Sequence, residues 1–237
     1  MYLPDSDTLL LNKPRGWTSH QVVNWVRKQT GEKRVGHTGT LDPLATGLLI
    51  ILVGRQATKR QPEFLKLDKR YNWEAQLGLT SDTYDSTGEV ERTASEEQLR
   101  QLTESDVLTA VRTFTGKLEQ TVPAFSAVKR QGKKLYELAR AGKIDLETLP
   151  TRSIEIYSLE LDSFDWVYDP RSLWTGDTLR IKGSVHCSSG TYVRSLIHDI
   201  GQALGVGAVL TDLHRTAIGR YSVKEADIIQ EAAENAS

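Results

Sequence analysis

The twelve residues Gly36-His37-Thr38-Gly39-Thr40-Leu41-Asp42-Pro43-Leu44-Ala45-Thr46-Gly47 are the part of this chain best suited to chemistry. Their three glycines let the backbone take conformations that a Cβ would forbid. Pro43 confines Asp42 to extended geometry. The loop runs straight into the apolar segment Leu48–Val53, and a rigid strand there would fix where the Asp42 carboxylate points. A carboxylate so held can act as a nucleophile or a base. Local chemistry allows equally that Asp42 caps a turn. His37, read as a metal ligand, lacks a second His or Cys at ligand spacing.

These residues need a frame, and hydrophobic periodicity supplies one. Thr18 and Gln21 form a capping box that opens a helix with Val22, Val23 and Val26 on one face, ending near Gly31. Leu48–Val53, bounded by Gly47 and Gly54, suits a strand buried on both faces. Tyr71, Trp73, Ala75, Leu77 and Leu79 alternate with polar residues, as in a half-buried strand. Ser95 and Gln98 make a second capping box, opening a helical stretch expected to end near Gly116.

Segment 117–152 is basic and irregular, with a short helical pattern around Leu135, Leu138 and Ala139. Ile154, Ile156, Leu159 and Leu161 predict a strand, and Leu179, Ile181, Val185 and Cys187 predict another. After Ser188-Ser189-Gly190-Thr191, the residues Val193, Leu196, Ile197, Ile200 and Leu204 predict an amphipathic helix that stops at Gly205. His198-Asp199 reads as a pair on that helix's surface. Residues 224–233 are expected to form a last helix. With no repeat and no low-complexity linker, the chain predicts one α+β domain over 1–237. Its sheet is expected to be mixed, mostly antiparallel and flanked by helices.

Of 237 residues, 38% are hydrophobic and 26% charged, enough to build a sizeable core. The single cysteine, Cys187, excludes a disulfide framework and a cysteine-based zinc cluster. The longest apolar run, Leu48–Val53, is too short to cross a bilayer, and Asp5 and Asp7 stand where a signal peptide needs positive charge. A cytoplasmic protein with no membrane partner is expected. The net charge of −1 conceals blocks. Residues 1–70 hold 12 basic and 6 acidic side chains, 71–110 hold 2 and 9, and 111–152 hold 9 and 4. A polyanion would be drawn to the first and third of these, although such blocks also serve as plain solvated faces.

The stretch GHTGTLDPLATGLL resembles the catalytic motif of the TruB-type tRNA pseudouridine synthases, which their archaeal and eukaryotic guide-RNA-dependent relatives share. Four further blocks follow the family's order across roughly residues 9–222. Leu10-Leu11-Asn12-Lys13-Pro14-Arg15-Gly16 resembles its N-terminal signature, and Lys69-Arg70-Tyr71 its tyrosine motif. Pro123-Ala124-Phe125-Ser126-Ala127-Val128-Lys129 with Gly132-Lys133-Lys134-Leu135-Tyr136 resembles its RNA-gripping insertion. His186-Cys187-Ser188-Ser189-Gly190-Thr191-Tyr192-Val193-Arg194 resembles its arginine motif.

The resemblance implies the pseudouridine-synthase catalytic fold and isomerisation of uridine 55 in the T loop of tRNA. It implies no metal and no organic cofactor. Asp42 would be the essential carboxylate, attacking the base, attacking the sugar carbon or abstracting a sugar proton. Arg194 would pair with it, and a neighbouring cation would keep it ionised. Tyr71 would stack on the target base and Leu213 would pack against the uracil. His37 would fill the gap left when the nucleotide flips out. Lys129, Arg130, Lys133, Lys134, Arg140 and Lys143, interleaved with Phe125 and Tyr136, would grip phosphates and an exposed base or ribose. Lys13, Arg15, Lys59 and Arg60 could extend that face, or Lys13 and Pro14 could shape the pocket wall. The expected partner is the tRNA T-arm stem-loop, met by a monomer without guide RNA.

Two features depart from the family pattern. Bacterial members continue beyond the region matching Arg215–Val223 into a small PUA-like RNA-binding domain, and none is expected before Ser237. Residues 163–178, with Trp166 and Trp174, are longer than the family's hairpin implies, and read as a loop or a local partner surface.

Overall fold

The computed structural model describes residues 7–130, 132–168 and 177–229. They form two compact units. The first holds the chain up to Asn72 together with the residues from Leu213 onward, and the second holds Trp73–Asp212. The first unit opens with β1 (Thr8–Lys13), α1 (Ser19–Thr30), β2 (Val35–His37) and β3 (Thr46–Val53). Two short helices, α2 (Gly54–Lys59) and α3 (Gln61–Leu65), lead to β4 (Lys69–Leu77), within which the chain enters the second unit.

That unit continues with β5 (Leu79–Ser81), β6 (Val90–Arg92), α4 (Glu96–Arg100), α5 (Glu104–Thr113) and β7 (Gly116–Thr121). The insertion carries β8 (Lys129–Arg130), β9 (Lys133–Lys134) and α6 (Leu135–Arg140). A long hairpin of β10 (Thr151–Tyr168) and β11 (Asp177–Cys187) precedes α7 (Val193–Ala203). The chain returns to the first unit within β12 (Ala208–Ile218), followed by β13 (Tyr221–Ser222) and β14 (Asp227–Ile228). The fold is α+β, with a mixed, mostly antiparallel sheet flanked by helices.

In the first unit β3 is the keystone. It pairs antiparallel with β1 and β2 and parallel with β12. Leu49 and Ile51 point into a core with Leu9, Leu11, Val22, Val23 and Val26. Leu48, Ile50 and Leu52 point the other way, against Ala57, Phe64 and Ile218. Leu48 through Leu52 have no exposed surface, as expected of a strand covered on both faces. Helix α1 begins at the Thr18–Gln21 capping box and ends at Gly31, whose φ of 70° lets the chain turn away.

In the second unit the strand order is β4-β11-β10-β7. The apolar phase of β10 changes from Ile154 and Ile156 to Leu159 because the register shifts between Ile156 and Ser158, a bulge that turns the next residues over. Gly183 interrupts the apolar alternation of β11 because Trp73 packs there, and a Cβ would sit 2.4 Å from its ring.

Three expectations change. The stretch opened by Ser95 breaks into α4 and α5, because Thr103 and Asp106 form a further capping box that restarts the helix. The last helix over 224–233 is absent among its described residues. Val223–Glu225 make one 3₁₀ turn, β14 pairs with β1, and Ile229 is buried in the first core, while 230–233 lie outside the described residues. Residues 163–168 are paired strand as far as Tyr168 opposite Asp177, with the Arg100 guanidinium 4.8 Å from the Trp166 ring centre. The loop or partner-surface reading is thus confined to 169–176, which with Trp174 lie outside the described residues.

Gly47 meets the tightest backbone approach in the first unit: φ is 101°, and an added Cβ would lie 2.3 Å from the Arg215 carbonyl oxygen. Gly31 has a positive φ but open space around it. Gly31→Ala is expected to cost about 1 kcal/mol of strain, and Gly47→Ala at least about 2 kcal/mol more from backbone overlap. Denaturant unfolding of both variants checks this, and equal losses would contradict the close approach.

Candidate active site

The Asp42 loop is held by backbone groups that find partners outside it. Ser19, the first residue of α1, accepts the Leu41 N–H at 2.8 Å, and its hydroxyl donates to the Leu41 carbonyl at 3.1 Å. The Pro43 carbonyl accepts the Gly16 N–H at 2.8 Å, and the Asp42 carbonyl accepts the Ala45 N–H at 3.1 Å, closing a turn. Asp42 itself is half-buried on this frame.

Two buried cations stand under the loop. Lys13, with no exposed surface, donates to the carbonyls of Trp17 at 2.6 Å, Pro14 at 3.0 Å and Pro43 at 3.5 Å. Burial lowers its pKa to about 8, with Asp42 pulling it up and Arg215 and Arg15 pushing it down. An ammonium spent on three carbonyls fits the pocket-wall reading of Lys13 and not the phosphate-gripping one. Arg215, 1% exposed, donates from Nε to the Leu48 carbonyl at 2.7 Å and from Nη2 to the Gly39 carbonyl at 3.1 Å.

His37 ends β2 half-buried, its carbonyl accepting from Gln61 Nε2 at 2.7 Å. Burial, then the charges of Arg215 and His20, hold its pKa below the ordinary histidine value, so the ring is neutral at pH 7. Tyr71 in β4 and Leu213 in β12 are both buried, at 8% and 6% exposure. Lys13, His37, Asp42, Tyr71 and Leu213 all belong to the first unit.

Arg194 belongs to the second unit, in the first turn of α7. It is buried, not a surface arginine, and donates to the Thr83 carbonyl at 3.1 Å and the Phe125 carbonyl at 2.6 Å. The turn that presents Thr83 is tied by the buried Asp85 carboxylate, which accepts from the Thr83 hydroxyl at 2.9 Å and from the Thr87 N–H at 2.9 Å. Tyr84 in that turn has φ 64° and stacks on His198 at 3.9 Å. The His198-Asp199 pair is therefore half-buried rather than a surface feature, and burial raises the Asp199 pKa to about 6.

The insertion presents its cations outward. Lys129, Arg130, Lys133, Arg140 and Lys143 are exposed, and Lys134 partly so. Lys129 faces Lys134 and Arg130 faces Lys133 across the β8–β9 hairpin. The Tyr136 ring already carries Lys134 at 5.3 Å and Arg140 at 5.6 Å from its centre. Among the described residues no cluster of three His, Cys, Asp or Glu side chains could hold a metal, and no helix is long and apolar enough to cross a membrane.

Residues 27–193 match the N-terminal domain of the TruB family pseudouridylate synthases, and residues 194–234 match the C-terminal domain of tRNA pseudouridylate synthase B. The chain belongs to the TruB family of pseudouridylate synthases. It is 41% identical to the tRNA pseudouridine synthase B of Corynebacterium jeikeium over 99% of its own length and 73% of that protein. It is 43% identical to the enzyme of the same name from Protochlamydia amoebophila, over 91% of this chain and 75% of the relative.

A solved Cbf5-Nop10-Gar1 complex contains a chain with the same fold, at TM-score 0.63 and 27% identity over 94% of this chain and 52% of that one. An H/ACA ribonucleoprotein bound to a substrate RNA matches in fold at TM-score 0.64 and 24% identity, over 93% of this chain and 50% of its own. This TruB-family chain thus spans about half the length of those solved chains. Its motif residues occupy β1, the Asp42 loop, β4, the insertion, and the turn into α7. The sequence does not single out Arg215, Ser19 and Asp85, although each is buried and each ties a loop within its own unit.

Lys13 titrates near 8 in the fold against 10.5 unfolded, so between those values the unfolded chain binds more protons. Stability should therefore rise with pH across that window, and Lys13→Met should lack the rise. The difference in unfolding free energy between wild type and Lys13→Met is expected to grow by about 2 kcal/mol from about pH 7 to about pH 9.5. A difference that stays flat would mean that Lys13 is solvated and unshifted.

Proposed function

We propose that this chain isomerises uridine 55 in the T loop of tRNA to pseudouridine, as a monomer, without metal, organic cofactor or guide RNA. The N1–C1′ bond of the target nucleoside breaks, the uracil turns over, and a C5–C1′ bond forms. The proton on C5 is lost and N1 gains one. The observation that carries this reading is the Asp42 loop, which seats a family-motif carboxylate on a frame anchored at Leu41 and Pro43. The tRNA substrate is supported by the name shared by relatives that match over most of the chain.

In this reading Asp42 attacks the base, attacks the sugar carbon, or takes a sugar proton. Lys13 lies close enough for the Asp42 charge to raise its pKa against the effect of burial. Arg194, held by two carbonyl contacts, takes the place of the family's aspartate-pairing arginine. Tyr71 stacks on the target base, Leu213 packs against the uracil, and neutral His37 fills the place of the flipped nucleotide.

The insertion over 117–152 supplies the grip. Its cross-strand Lys–Lys and Arg–Lys pairs are unfavourable in the free protein, and a phosphate backbone would relieve that repulsion. The Tyr136 ring, already engaged by Lys134 and Arg140, holds those cations in place rather than offering an open stacking face.

Asp42→Asn is expected to abolish release of the C5 proton from tRNA while leaving tRNA affinity within about twofold, as removal of a group used only in the chemical step should. Turnover by that variant, with wild-type contamination excluded, would remove Asp42 from the mechanism. Lys133→Ala with Lys134→Ala should lower affinity and reduce the salt dependence of binding by roughly one to two in slope. An unchanged slope would take the hairpin out of the RNA interface.

A further inference from the structure

We propose that Arg215 is the positioning residue for Asp42, fixing the catalytic loop through the two backbone carbonyls that bracket it. The proposal rests on the reading that Asp42 carries the chemistry. Gly39 stands three residues before Asp42 and Leu48 six after it, and one guanidinium ties both carbonyls at 3.1 and 2.7 Å. The loop between them is thereby closed by a single side chain that lies outside it in sequence.

The geometry leaves that side chain little freedom. Arg215 is 1% exposed, and its own backbone is seated on Gly47 through the parallel pairing of β12 with β3. An added Cβ on Gly39 would lie 3.8 Å from Arg215 Nη1, so the loop backbone runs alongside the guanidinium. The charge also reaches the residues on either side of the loop, since Arg215 pushes down the pKa values of both His37 and Lys13.

A cation with so little solvent is costly, and neutral apolar side chains would serve a strand core better. What only arginine supplies is a planar fork whose donors meet two carbonyls at once. Lysine at this position keeps the charge and can reach one carbonyl at a time. The loop would then keep its place on average and lose its rigidity. Misplacement of a reacting group by about 1 Å can cost roughly a hundredfold in rate, which sets the scale of the expected effect.

The test compares wild type, Arg215→Lys, Arg215→Met and Asp42→Asn on unmodified tRNA. Single-turnover rate, tRNA affinity and amide hydrogen exchange are read for each protein. Arg215→Met is expected to lower the rate about a hundredfold with affinity within about twofold, and Arg215→Lys to fall between it and wild type. In both variants the Leu41 and Ala45 amides should exchange at least about tenfold faster, while the amides of the β10–β11 hairpin keep their protection.

A rate within about threefold of wild type in both variants would overturn the proposal, as would loop amides that exchange no faster. Faster exchange spread evenly through β10 and β11 would make Arg215 a residue of global stability and overturn it as well. Arg215→Lys preserves the buried cation and decides the matter if Arg215→Met does not fold. An inactive wild type, or an active Asp42→Asn, would instead defeat the reading of Asp42 on which the proposal stands.

Discussion

A loop that must hold one carboxylate still cannot do so with its own hydrogen bonds. Between Gly39 and Leu48 the chain forms no helix and little ladder, so its polar backbone groups must be met from elsewhere. The Arg215 guanidinium meets two of them, and Ser19, Gly16 and Lys13 meet others. Removing Arg215 or Ser19 would take these partners from the loop's backbone groups, whereas the Pro43 carbonyl has two. The rest of the first unit can be understood as support for this set. The parallel pairing of β12 with β3 delivers Arg215, the capping box at Thr18 sets Ser19, and β1 ends at Lys13.

The electrostatics follow from the same arrangement. Of the two buried cations under the loop, Lys13 is destabilised enough by burial to titrate near 8, with the Asp42 charge opposing that shift. Burial, then Arg215 and His20, hold the His37 pKa below the ordinary histidine value, which suits the stacking role proposed for it. In the second unit the pattern differs. Arg194 is buried against carbonyls of two separate loops, and the cations of the insertion stand in solvent opposite one another. One set of positive charges is buried on backbone carbonyls, while the other is exposed on the insertion.

The sequence made the frame legible where periodicity was clean. The α1 cap, the doubly buried β3 and the α7 helix stand where their apolar patterns put them, and the strand through Tyr71 does so as far as Leu77, Leu79 opening β5 after a turn at Gly78 with φ 83°. It concealed β12, because an inward-facing arginine at 215 breaks the alternation that would have revealed the strand. The break between α4 and α5 was hidden because aspartate takes the closing place of the Thr103 capping box, where the earlier boxes use glutamine. The pattern places Ile229 in a helix, although its burial beside Val26 and Leu49 is met by extended chain next to β1. Motif residues were the most legible of all, yet their spacing could not tell a solvated lysine from Lys13, buried under the loop. Burial of a charge is a tertiary property, set by which strands come together.

In the proposed reaction this chain converts a single tRNA uridine without further components. The most direct test is to incubate the purified protein with an unmodified tRNA transcript, without metal, cofactor or guide RNA, and map pseudouridine at each nucleotide. Pseudouridine is expected at the T-loop uridine alone. A folded protein that binds the transcript and leaves every uridine unchanged, or modifies only positions outside the T loop, would contradict it.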